Sequence, residues 1–143
     1  MKVVYAETSA VLAWLLGDES RLRARRVVDS ADQVVTSVLT LVEATRGILR
    51  AANEQRVAAV DASRLRGLLA RTTTAWELME ITPEIRVRAG EPFPVEPVRT
   101  LDAIHLATAL QFARALPELS VLTFDERILA NLEPLGLLRA ARR

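Results

Sequence analysis

The 143-residue chain has no cysteine. That excludes a disulfide framework and any thiolate metal site. It has one histidine, His105, which excludes a site built on several imidazoles. No apolar run approaches the ~20 residues needed to span a bilayer. An acid, Glu7, interrupts the first apolar stretch, unlike the design of a secretory leader. A cytoplasmic protein with no membrane attachment is the expectation. Strong charge of one sign is also lacking: the net charge is +1, so bulk charge carries no nucleic-acid signature. Lysine is nearly absent, and the cations other than Lys2 are arginines. They cluster at Arg21, Arg23, Arg25 and Arg26, at Arg64, Arg66 and Arg71, and at Arg139, Arg142 and Arg143. Arginine suits bidentate phosphate contacts. The same clusters also read as solvated helix faces with ion pairs such as Glu19 to Arg23.

What is present is globular. Half of the residues are hydrophobic. The length fits a single domain over residues 1–143, able to bury about 68–70% of its unfolded surface. Short runs rich in β-branched residues predict strands at Val3–Ala6, Gln33–Thr36, Ser120–Thr123 and, more weakly, Trp76–Ile81, with Leu135–Leu138 as a fifth. Val38, Leu41, Val42, Thr45, Ile48, Leu49 and Ala52 fall on one helix face. Val57–Ala70 follows as an antiparallel arm, which makes a helical hairpin. Leu101–Leu116 is apolar on most sides and is expected to be deeply buried. Pro92, Pro94 and Pro97 make residues 90–97 a loop. Trp14 and Trp76 read as core or interface. Strands alternating with helices point to a parallel sheet covered on both faces.

That topology gives four acids a common address. Sites in open α/β sheets form outside the carboxyl ends of the strands. Glu7 follows the first strand and Asp125 the fourth. Asp102 lies in the first turn of the buried helix, with Thr100 as its expected N-cap. Glu43 sits in the helix after the second strand. Each acid also has a plain structural reading. Asp125 or Glu7 can cap a helix, Asp102 can face a positive helix end, and Glu43 can pair with Arg46. Together, four carboxylates on an apolar framework repel one another, and a divalent cation resolves the repulsion. Oxygen donors without cysteine select a hard ion such as Mg²⁺ or Mn²⁺. His105 stands three residues after Asp102 and reads as a structural core histidine.

The stretches "VVYAETSAVLAWLLGDE", "SVLTLVEATRGILRA", "RTLDAIHLATALQFA" and "VLTFDERI" occur in an order and spacing that resemble the PIN-domain family, and within it the small VapC-like ribonuclease toxins of toxin–antitoxin pairs. The resemblance implies a three-layer α/β/α sandwich on a mostly parallel sheet of four to five strands, with a helical hairpin near residues 37–70. It implies Mg²⁺- or Mn²⁺-dependent cleavage of RNA by Glu7, Glu43, Asp102 and Asp125. Ser9 and Thr123 match hydroxyls that support the first and fourth acids, and Thr8 stands beside them. Arg46 is the nearest cation for an RNA backbone. The implied partners are RNA, a small antitoxin protein and a second copy of the chain.

One residue departs from the family pattern: Glu7 stands where the family usually has Asp. The charge is kept and one methylene is added, and a reacting group misplaced by about 1 Å can cost on the order of 100-fold in rate. A PIN-like binding module without catalysis is therefore the alternative. A response-regulator reading fails because a single acid follows the first strand and the only lysine is Lys2. A haloacid-dehalogenase-like reading fails because Glu7-Thr8-Ser9 lacks a second acid.

Overall fold

A computed structural model describes residues 1–17 and 20–140. Five strands form one sheet: β1 (Val3–Ala6), β2 (Gln33–Ser37), β3 (Glu77–Met79), β4 (Ser120–Leu122) and β5 (Leu138–Arg139). Their order is β3-β2-β1-β4-β5, and every pairing is parallel. The helices are α1 (Thr8–Leu16), α2 (Arg21–Asp29), α3 (Val38–Asn53), α4 (Ala59–Thr73), α5 (Pro83–Ala89), α6 (Thr100–Ala115) and α7 (Glu126–Leu132).

All four residues of β1 are buried, as a central parallel strand demands. Their side chains alternate between faces. Val3 and Tyr5 pack with Leu106, Phe112, Val121 and Ile128 on the α6–α7 side. Val4 and Ala6 meet the opposite clusters, which hold Val11, Leu15, Ala24, Ile48 and Leu65. The result is the three-layer α/β/α sandwich with a helical hairpin, α3 and α4. The chain runs outward from β1 through β2 to β3, then returns to the other side of β1 for β4. The strand order therefore reverses at β1 and β4, and the crevice for a site opens beyond their carboxyl ends.

Several local expectations shift. In α3 the buried residues are Thr40, Ala44, Ile48 and Ala51, while Val42 is 61% exposed. Backbone proximity chose this face: a Cβ on Gly47 would lie 2.7 Å from Leu12 Cδ2, so α1 and α3 meet where side chains are smallest. Arg99, not Thr100, is the N-cap of α6, with no side-chain cap bond, and Thr100 begins the helix. β3 is shorter than Trp76–Ile81. The run Leu135–Leu138 mostly forms a turn: Gly136 has φ 74°, Leu137 packs inward, and the strand starts at Leu138. Residues 90–97 are irregular, with Val95 held by Asn131. The Glu19–Arg23 pairing, Arg142 and Arg143 lie outside the described residues. Trp14 and Trp76 pack, partly buried, against the α1–α4 core.

Asp125 caps α7, its Oδ1 accepting from Arg127 N (3.0 Å) and Ile128 N (3.1 Å). Asp125→Ala is therefore expected to cost about 0.5–2 kcal/mol in chemical denaturation.

Candidate active site

Glu7 leaves β1 and becomes the N-cap of α1. Its backbone N–H donates to Leu122 O (3.0 Å), which carries the β1–β4 pairing one residue further. Its side chain is buried, and one oxygen, Oε2, accepts from Ser9 N (2.9 Å), Ser9 Oγ (2.5 Å) and Thr123 Oγ1 (2.7 Å). Glu7 is thus bonded to the residue that follows β4. Ser9 Oγ in turn accepts from Phe124 N (2.8 Å), and Thr123 Oγ1 from Asp125 N (3.1 Å). These bonds fasten the ends of β1 and β4 together.

Glu43 points inward from α3. Its Oε1 accepts from Thr8 Oγ1 (2.7 Å) and from His105 Nε2 (2.5 Å). No ion pair joins it to Arg46 among the described residues, and Arg46 is exposed. Behind His105, Nδ1 meets the buried Tyr5 hydroxyl at 2.8 Å. Burial pushes the Glu43 carboxyl up, but the hydrogen bond and charge of His105 and the Thr8 bond outweigh it, so its pKa lies below the ordinary value. Burial and the charge of Glu7 hold Tyr5 well above its ordinary pKa, so it remains a hydroxyl.

Asp102 occupies the first turn of α6. Its Oδ2 is buried and has no hydrogen-bond partner among the described residues. Burial raises its pKa, and the fields of Asp125 and Glu7 raise it further, against smaller opposing effects of His105 and Arg127. Asp102 therefore lies in the combined field of the acids after β1 and β4. A pattern unites the others. Glu7 ties down Oε2, Glu43 ties down Oε1 and Asp125 ties down Oδ1. Each leaves its second oxygen without a hydrogen bond to the described residues. The side chains do not form a finished cage: among the described residues, no three of Asp, Glu and His are placed to hold a metal ion as they stand.

The reading of His105 as a core histidine is half of the picture. The residue is 1% exposed, yet it is bonded to one of the four acids. Tyr5 reads from the sequence only as a strand residue. The available signals were the i, i+3 spacing from Asp102 and the one polar side chain in β1.

The titration of Glu43 predicts a pH effect. A folded pKa below the unfolded value adds stability that is present above the unfolded pKa and lost as pH falls through the folded one. Denaturation between pH 6 and 3 should therefore show wild-type stability falling more steeply below about pH 4.5 than that of Glu43→Gln. Parallel curves would contradict the shift.

A parallel sheet with acids gathered beyond its switch point defines the class: the chain belongs to the PIN-domain family, whose sequence profile matches residues 4–133. Among individual relatives, it is 34% identical over 137 residues to Ribonuclease VapC35 of Mycobacterium tuberculosis, covering 94% of this chain and 93% of the relative. Its fold matches the crystal structure of Mycobacterium tuberculosis VapC20, described as a sarcin-ricin loop cleaving toxin, with a TM-score of 0.67 at 21% identity over 89% of this chain and 93% of that one. It also matches a toxin–antitoxin complex from Klebsiella pneumoniae, with a TM-score of 0.66 at 18% identity over 98% of this chain and 99% of that one.

Proposed function

We propose that this chain is a Mg²⁺- or Mn²⁺-dependent endoribonuclease of the VapC type, the toxin of a toxin–antitoxin pair. The observation that carries the reading is Asp102 Oδ2, a buried carboxylate oxygen with no partner among the described residues, set in the field of Glu7 and Asp125. A carboxylate oxygen buried without a partner costs free energy, which a cation beside it offsets. The donor chemistry fits a hard ion, because every free donor is a carboxylate oxygen. A finished cage is not required, since Mg²⁺ keeps several waters and is commonly bound by one or two carboxylates. Asp102 and the free oxygen of Glu7 are the strongest ligands, with Asp125 and Glu43 completing the set. When bound, such an ion supplies positive charge at the phosphoryl oxygens and a more acidic attacking water.

The chain's own residues supply the rest. Ser9 and Thr123 fix the Glu7 carboxylate, and Thr8 fixes that of Glu43. The free oxygen of Glu43 orients the attacking water. Arg46, exposed and three positions beyond Glu43, holds the RNA backbone. The products carry a 5′-phosphate and a 3′-hydroxyl. A small antitoxin and a second copy of the chain are the protein partners, in keeping with the toxin–antitoxin complex that shares the fold.

The test is incubation of purified protein with total cellular RNA in Mg²⁺ or Mn²⁺ and in EDTA. Fragments with 5′-phosphate ends that appear only with metal are expected. Metal binding without cleavage would favour the PIN-like binding module, with Glu7 marking an altered site.

A further inference from the structure

Four elements meet at one imidazole. His105 comes from α6, Glu43 from α3, Thr8 from α1 and Tyr5 from β1. We propose that His105 is a positioning residue: its Nε2–H, with the ring held from behind by Tyr5, fixes one oxygen of Glu43 so that the other is presented to the acid edge. The inference rests on the metal-dependent reading above.

The geometry decides which nitrogen donates. Nε2 lies 2.5 Å from Glu43 Oε1, and a carboxylate there offers only lone pairs. An unprotonated Nε2 would set lone pair against lone pair, so Nε2 carries the hydrogen. On the other side of the ring Nδ1 lies 2.8 Å from the Tyr5 hydroxyl, which donates to a bare Nδ1 and accepts from a protonated one. The Tyr5 ring meets the imidazole edge-on, with centroids 6.1 Å apart at 76°, and the imidazole is buried, so its rotation is restricted. Thr8 Oγ1 gives Glu43 Oε1 its second donor. Two donors on one oxygen pin a side chain that would otherwise sample several rotamers on a half-buried helix flank. Ordering it before an ion arrives removes that cost from binding. Nε2 is also 4.0 Å from Glu7 Oε1, so a single N–H lies between acids of two different elements. Partners that orient a ligating group typically contribute about 10–100-fold in metal affinity or activity.

Two substitutions separate positioning from packing. Glutamine extends its amide nitrogen about as far as Nε2, whereas asparagine reaches only as far as Nδ1. Calorimetric titration of Mn²⁺ into the metal-free variants gives one readout, and kcat and KM on RNA give another, beside thermal melts in EDTA. His105→Asn is expected to weaken Mn²⁺ binding by about 10–100-fold and to lower kcat with KM nearly unchanged. His105→Gln is expected to restore most of both. Tyr5→Phe keeps the ring and removes the hydroxyl, so a smaller loss in the same direction is expected. It also decides the matter if His105→Asn fails to fold. Equal losses in His105→Asn and His105→Gln, tracking their melting temperatures, would overturn the proposal, as would wild-type Mn²⁺ affinity in Tyr5→Phe and His105→Asn. If Mn²⁺ affinity changes as expected while wild type cleaves no RNA, positioning stands and the ribonuclease reading falls. If wild type binds no Mn²⁺, both fall.

Discussion

Asp102→Asn is expected to lower RNA cleavage by more than about 100-fold while leaving the metal-free protein as stable as wild type or more so. Most substitutions of a half-buried helical residue lower stability, so the sign is diagnostic. It follows from what Asp102 lacks. Its Oδ2 is buried without a partner among the described residues, and burial together with Asp125 and Glu7 raises its pKa. A raised folded pKa means that the folded state favours the protonated acid. That contribution is complete below the unfolded pKa and is lost as pH rises through the folded one. At neutral pH the ionised group is therefore a liability, which asparagine removes without changing the shape. Melts in EDTA at pH 7 test the sign. A large fall in the melting temperature of Asp102→Asn would mean that the carboxylate chiefly serves the positive end of α6.

The acid after β1 should behave in the opposite way. Glu7→Ala is expected to abolish cleavage and also to destabilise the fold by roughly 3 kcal/mol, summing a lost N-cap with hydroxyl donors left unpaired. For a chain of this size that lowers the melting temperature by roughly 6–12 °C. The reason is the set of three bonds onto Oε2, which join α1 to the end of β4. Glu7→Gln keeps an acceptor oxygen, so it should lose activity with a much smaller loss of stability. If Glu7→Ala melts within about 2 °C of wild type, the three bonds contribute little to the fold.

The contrast between these two acids explains what the sequence could disclose. The positions of Glu7 and Asp125 beyond β1 and β4 are legible because both strands are short, continuous apolar runs whose ends are visible in the chain. The burial of α6 was legible for the same reason. The buried face of α3 is legible only in part: Ile48 is buried as its spacing implies, but Ala44, Gly47 and Ala51 meet their neighbours through small size, and hydrophobic periodicity instead favours Val42, which is exposed. The cap of α6 is not legible, because a hydroxyl such as that of Thr100 is the usual signal, whereas Arg99 takes that position with no side-chain bond. His105 was legible as buried but not as bonded to an acid. A lone imidazole on an apolar helix looks the same in either case, and its partner Glu43 lies 62 positions away. The departure at Glu7 is likewise visible in the chain, but the Thr123 hydroxyl that bonds it is 116 positions away.

The central claim is that the acids beyond β1 and β4 hold a cation. Thermal melts of wild type and Asp102→Asn, each with excess Mn²⁺ and with EDTA, test it most directly. A ligand that binds only the folded state adds about 2.7 kcal/mol at a hundred times its dissociation constant. The account predicts that Mn²⁺ raises the melting temperature of wild type by several degrees and leaves Asp102→Asn nearly unchanged. No shift in wild type, or the same shift in both proteins, would contradict it.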